Sequence, residues 1–366
     1  MLLKLWRAYS IRRHSRTVEA GDHMTKSMTK INFIIAMALL LLTIAVSATM
    51  GSANISLGDF VETIFSKLPI VGTYFETTGS HETIIFNLRL PRIILALLAG
   101  MGLSVTGCVF QGVFSNPMAE PYLLGVSSGA AFGATLAAVM EIQMRFLSFT
   151  TVSLFAFIGA VTVMLLIYKL AVVKGELPVS VLLLSGLAVN YFLSALITLI
   201  MTFNQEQVES VYFWTLGSFK NASWDKVSLV LLVVGISIIY IYKHSSELDM
   251  IMMGDEQAKS VGVEVDKLKK RLLIVSSLVA AVIVASSGII GFVGLIIPHG
   301  VRLITGPSHR KLMPMAAISG GIFLIICDTI ARVTLNNKEL SVGIITALCG
   351  VPFFLWLLYK HRKLVG

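Results

Sequence analysis

Apolar blocks of about 18 to 22 residues, set between short polar stretches, govern what this chain can fold into. At the rise of an α-helix, each block crosses a hydrocarbon layer about 30 Å thick. Ten are legible, at 31–50, 93–114, 122–140, 149–170, 181–203, 227–242, 272–290, 292–304, 315–333 and 342–359. The eighth is short and broken by Pro298. Alternation with period two, the mark of a membrane β-barrel, is absent. Only 13% of the 366 residues are charged, against about 25% in an average soluble chain. The expected fold is therefore an all-α polytopic membrane protein with about ten transmembrane helices, occupying 31–366 behind a basic N-terminal extension at 1–30. That extension lacks the apolar core and small-residue cleavage site of a signal peptide.

The net charge of +9 does not point to nucleic acid, because the basic residues sit at the ends of the blocks rather than in one patch. Counted on alternate loops, 21 of the 29 lysines and arginines fall on the side of the N-terminus and 8 on the other. Cationic loops stay in the cytoplasm, so both termini are expected there. Arg89 and Arg92, in "NLRLPRIILALLAG", then face outward against that bias, as does Arg332. Pro91 suits the first turn of a helix, where its missing N–H costs nothing. Arginines three apart share a helix face and present a small cationic patch, which suits either a docking site or snorkelling anchors.

The blocks divide into five and five, and an odd number per half gives the halves opposite orientations. Each half holds a Gly-rich, Pro-broken segment, "SNPMAEPYLLGVSSGAAFGA" and "SSGIIGFVGLIIPHG". This is the pattern of an inverted pseudo-repeat, common among transporters. The longest inner loop, 243–271, reads "KHSSELDMIMMGDEQAKSVGVEVDKLKKR". Ala258, Val261 and Val265 recur in it at helical spacing, and Gly254 and Gly262 punctuate two short helices. Docking of a cytoplasmic partner and an ordinary solvated loop both fit. Cys108, Cys327 and Cys349 lie in separate apolar blocks without CxxC pairing and read as small buried packing residues.

Four stretches in order resemble the FecCD family, the permease subunits of ABC importers for ferric siderophores, haem and cobalamin. They are "LRLPRIILALLAGMGLSVTGCVFQGVFSNPMAEPYLLGVSSGAAFGA", "GDEQAKSVGV", "GFVGLIIPHGVRL" and "CDTIARVTLNNKELSVGIITALCGVPFFLWLL". The resemblance implies a type II ABC importer permease in a bacterial or archaeal plasma (inner) membrane. It implies a second permease subunit, most simply forming a homodimer, two ATP-binding subunits beneath and a substrate-binding protein above. Arg89, Arg92 and Arg332 match arginines that meet the binding protein, while Asp328, one turn before Arg332, offers that arginine an internal partner. Gly254, Asp255, Glu256, Ala258 and Gly262 match the segment that couples to the ATPase, with Val261 where leucine is usual. Val179 and Ser180 match the inner gate, and Asn190, Ser194, Thr198 and Met201 follow down the same span. Their polar side chains suit either a path or interhelical hydrogen bonding. His299 matches a structural position near the inner face.

The chain carries no chemistry of its own that the sequence reveals. Glycine nowhere precedes lysine, which excludes the phosphate-binding P-loop, so ATP and magnesium are expected on a partner subunit. No cofactor, metal site or catalytic set is visible among seven dispersed histidines. The competing class is a secondary transporter driven by an ion gradient, which needs ionisable residues inside the membrane. Asp328 is its clearest candidate, and Glu120 sits in a loop.

Overall fold

Helices follow the apolar blocks, and the computed structural model of the protein describes residues 31–51, 55–67, 79–141, 145–146, 149–173, 177–335 and 339–365. The first half holds α1 (Ile31–Thr49), short α2 (Leu57–Ser66), α3 (Gly79–Val113), α4 (Val126–Val139), α5 (Thr151–Ala171), α6 (Val179–Phe203) and short α7 (Val208–Thr215). The second holds α8 (Trp224–Lys243), short α9 (Ser245–Met253) and α10 (Asp255–Ser260), α11 (Val265–Ser287), α12 (Val293–Thr305), α13 (His309–Val333) and α14 (Val342–Val365). Two-residue strands β1 (Arg145–Phe146) and β2 (Phe149–Thr150) pair antiparallel between α4 and α5.

Ten of these helices occupy the ten apolar blocks. Six of them, α1, α3, α5, α6, α8 and α13, are long and apolar enough to cross a membrane unaided, while α4, α12 and the apolar part of α14 are shorter. α11 begins at Val265 rather than Leu272, because its basic first turns continue the helix beyond the apolar run. The two halves interlock reciprocally. α3 of the first half packs along α13 of the second, and α11 of the second packs along α5 of the first. The irregular stretches before α4 and α12 also meet, with the Tyr122 hydroxyl donating to the Ile290 carbonyl at 2.9 Å.

α3 is the hub, with nearly every residue from Pro91 to Val113 buried. Glycine allows its backbone to lie directly on its neighbours. A Cβ added at Gly100 would land on the Gly320 carbonyl of α13, and one at Gly107 on the Gly294 carbonyl of α12.

Two prolines depart from the sequence reading. Pro91 does not open a helix, since α3 already begins at Gly79 and winds through a π-helical turn at Ile84–Arg89. There the Leu90 amide reaches five residues back to the Ile85 carbonyl. The next such bond would run from Pro91, which has no N–H, to Phe86, and the Trp224 indole donates to the Phe86 carbonyl instead, at 2.8 Å. Pro298 likewise does not break α12, which is continuous from Val293 to Thr305. The carbonyl it orphans belongs to Gly294, and the Gln111 side-chain amide of α3 donates to Gly294 and Leu295, both at 3.2 Å.

Gln111→Leu strands the buried Gly294 carbonyl and is expected to cost about 1–3 kcal/mol, read as a lowered melting temperature of the purified protein. Trp224→Phe acts at a partly exposed site and is expected to cost less.

Candidate functional site

At one end of the bundle three arginines converge, but not as an open patch. Arg89 and Arg92 are only 5% and 8% exposed, buried between neighbouring elements. The Arg92 Nε and Nη2 groups donate to the Asp328 carboxylate of α13 at 2.9–3.0 Å. Its Nη1 donates to both oxygens of Glu339, just before α14, at 2.9 and 3.1 Å. Arg332 lies beside the same Asp328, Nε to Oδ2 3.2 Å.

The remaining guanidinium donors close the end of α1. Arg89 donates to the Ala48 and Thr49 carbonyls, and Arg332 to those of Ser47 and Met50 and to the Ser47 hydroxyl. The last carbonyls of a helix lack intrahelical donors and carry partial negative charge, so cations suit them. The expected outward cationic patch is thus corrected to an internal knot joining α1, α3, α13 and the Glu339 segment. Snorkelling is corrected with it, since the head groups of Arg89 and Arg92 point into protein. Asp328, held by two guanidinium groups, is a structural counter-ion. Sequence reading paired it with Arg332 but missed Arg92, which lies 236 residues away in the chain.

At the opposite end the 243–271 loop forms α9 and α10 with Gly254 between them. Gly254 and Gly262 both sit at positive φ, 131° and 91°, where a side chain is strained. Asp255 opens α10 and meets buried Lys269 of α11, with Nζ 2.6 and 2.8 Å from its oxygens. Ala258 is the buried residue of α10, while Glu256 faces outward. The expected apolar stripe is only partly formed. Val265 is buried in α11, but Val261 caps α10 and is 66% exposed, because the turn at Gly262 separates the two helices. Met253 at the end of α9 is 78% exposed, and Met250 before it is exposed as well, so this polar loop carries three bare apolar side chains.

α9 is pinned from beneath. Asp249 accepts from the His309 backbone amide at 2.9 Å, from the Ser308 hydroxyl at 3.1 Å, and pairs with the His309 ring. It thereby caps the first turn of α13 from another helix. Burial pushes the Asp249 carboxyl upward, but these His309 and Ser308 contacts outweigh it and hold it below its ordinary value. Sequence reading did not find this pair, which joins residues 60 apart.

The residues expected along α6 divide. Ser180, Ser194 and Thr198 are exposed and, at about 100° per residue, fall in one sector with the exposed Leu187 and Tyr191. Val179 opens the helix half-buried, and Met201 is half-buried at its far end. Asn190 is turned away to α4, where the Ser128 hydroxyl donates to its Oδ1. The Thr198 hydroxyl donates back to the Ser194 carbonyl at 2.9 Å. α6 is the least buried of the six long spans.

Of the cysteines, Cys108 and Cys327 are buried as expected, but Cys349 is exposed. The fold also brings Cys349 near Cys327. The His299 ring meets that of Phe353 edge-on at 6.1 Å. Among the described residues no three His, Cys, Asp or Glu side chains are placed to hold a metal.

Two outcomes follow from these geometries. Arg92→Ala leaves a buried carboxylate short of a counter-charge and is expected to destabilise the protein by on the order of 3 kcal/mol, seen as a lower melting temperature and yield. Asp249→Asn is expected to lower the melting temperature at pH 7. A depressed carboxyl contributes stability above its unfolded pKa and loses it as pH falls through the folded value. The gap between variant and wild type should therefore close below about pH 4.

Comparison with known proteins places the arrangement. Residues 39–360 match the FecCD transport family. A cobalamin import system permease protein of Halobacterium salinarum is 42% identical over 78% of this chain and 75% of its own length. A hemin transport system permease protein of Yersinia pestis is 35% identical over 88% and 95%. The solved structure of a metal-chelate type ABC transporter in an inward-facing conformation superposes with a TM-score of 0.76 at 29% identity, covering 90% of this chain and 98% of that one. With its ten apolar helices in two interlocked halves, the chain is a multi-pass membrane protein and belongs to the FecCD transport family.

Proposed function

We propose that this permease subunit of an ABC importer carries an intact metal chelate, of the cobalamin, haem or ferric siderophore class, across the plasma membrane into the cytoplasm. The observation that carries the reading is the family match over residues 39–360, joined to the bare face of α6. That face mixes Leu187 and Tyr191 with Ser180, Ser194 and Thr198. It is too apolar to face water alone and too polar to face lipid alone, and it suits a path shared with a second permease copy. Weak, mixed contacts let a large chelate pass without being trapped.

The α9–α10 end lies in the cytoplasm on this reading, by the excess of lysine and arginine there. Two ATP-hydrolysing subunits dock on it, with Met253 and Val261 as apolar contacts and Gly254, Asp255, Glu256, Ala258 and Gly262 shaping the segment. A substrate-binding protein docks on the opposite rim. Arg89, Arg92 and Arg332 serve that rim by fixing its shape, since their charges are already engaged within the chain. Ion-gradient transport is disfavoured, because Asp328, its clearest candidate residue, is already paired within the chain with the guanidinium groups of Arg92 and Arg332.

Proteoliposomes holding the chain, its ATP-binding partner and binding protein are expected to accumulate cobalamin, haemin or a ferric siderophore only with ATP, and to be indifferent to ionophores. Uptake by the chain alone that collapses with a protonophore would reject the reading. Met253→Glu together with Val261→Glu is expected to abolish co-purification of the ATP-binding subunit while leaving the melting temperature of the chain unchanged.

A further inference from the structure

Beside the arginine knot lies a cavity of about 780 Å³ whose chemistry is not explained by transport along α6, which contributes no residue to it. Its wall takes in the starts of three helices and the ends of three others, α4, α7 and α11. Thr150 and Ser153 come from the start of α5, Ser223 and Lys226 from that of α8, and Ser341 immediately precedes α14. Helix starts carry about half a positive charge and helix ends about half a negative one, so the sign of the space is set by its side chains.

Lys226 adds a full charge where it is least comfortable. It is 7% exposed, and its Nζ donates at 2.9 Å to the Asn221 backbone carbonyl. Among the described residues no carboxylate pairs with it. A buried ammonium without a counter-ion is costly, and the first turn of a helix repels a cation further. Lys220, exposed, stands on the same wall. Among the described residues the one carboxylate lining the cavity, Glu339, has both oxygens engaged by Arg92. The hydroxyl oxygens of Ser218 and Ser223 accept from the amides of Lys220 and Lys226, which leaves their protons available to donate inward.

An uncompensated buried cation, a second lysine and donor hydroxyls together describe the complement of an oxyanion. We propose that this cavity is an anion-binding site for a phosphate or carboxylate group, with Lys226 as its buried counter-ion and Lys220 as its entrance cation. The volume falls in the range of small-molecule sites, so the group is carried by a free solute or by the head of an anionic lipid. The site does not depend on the identity of the transported chelate.

The test uses the full chain purified in detergent. Its melting temperature is measured against inorganic phosphate, with chloride at matched ionic strength as control. Bound lipid is measured by native mass spectrometry after exposure to phosphatidylglycerol or phosphatidylcholine. A saturable rise with phosphate identifies a free oxyanion as ligand, and selective retention of phosphatidylglycerol identifies a lipid head group. Either response is expected to vanish in Lys226→Gln and to need several-fold more ligand in Lys220→Gln, an exposed position where folding is not at stake. Lys226→Gln should itself melt no lower than wild type in chloride, because it removes an uncompensated charge. Absence of both responses in wild type, or responses unchanged in either lysine variant, would overturn the proposal.

Discussion

Hydrocarbon offers no hydrogen bonds, so every backbone group that a spanning helix leaves open must be met by another part of the protein. That demand explains most of the specific polar contacts in this chain. Pro91 and Pro298 each open a carbonyl inside a helix, and Trp224 and Gln111 answer from neighbouring helices. The end of α1 exposes its last carbonyls, and Arg89 and Arg332 answer them. These donors do more than satisfy valence. Each joins two helices at one defined register, which apolar packing between similar greasy surfaces leaves loosely specified.

Glycine supplies the complementary half of that specification. Where α3 crosses α13 and α12, Gly100 against Gly320 and Gly107 against Gly294 let backbones touch. Close approach maximises dispersion contact, the main attraction left to helices once lipid has removed the hydrophobic drive. It also brings the Gln111 amide within reach of the carbonyls that Pro298 releases. Small residues and side-chain donors therefore work as one device along α3, and the charged knot at Arg92 and Asp328 closes the same pair of helices at their end.

The helices were legible because an apolar run declares its own length, and the loop glycines because Gly254 and Gly262 interrupt a polar stretch visibly. Their order and the five-plus-five division could be read in the same way. The fate of the three arginines could not. A sequence shows that Arg89 and Arg92 share a face, but whether that face meets solvent depends on Asp328 and Glu339, and nothing local links those residues to it. Asp249 and His309 were hidden for the same reason. The prolines misled differently, since residue type sets the default for Pro91 and Pro298 while a donor from a distant helix decides the outcome. Val261 departs from the expected stripe because helical spacing does not continue across Gly262, where the chain turns between two helices.

The same contacts decide which parts of the bundle move together. α13 holds α9 at its start, through His309 and Asp249, and holds α3 and the Glu339 segment at its end, through Asp328 and Arg92. α3 is locked to it between those points by glycine contact, and at the α9 end Gly112 lies against Leu248 and His309. A force applied to α9 thus reaches a stiff pair of helices anchored at both ends of the bundle. Bending that pair would part backbones that touch and bare a buried carboxylate, which costs more than moving it whole. α6 is bound far less, with its outer face open and its conspicuous side-chain tie to another helix running from Asn190 to Ser128. The seam by which α6 rests on α4 and α5 is where the bundle yields most cheaply, and that seam adjoins the face with the mixed character of a path.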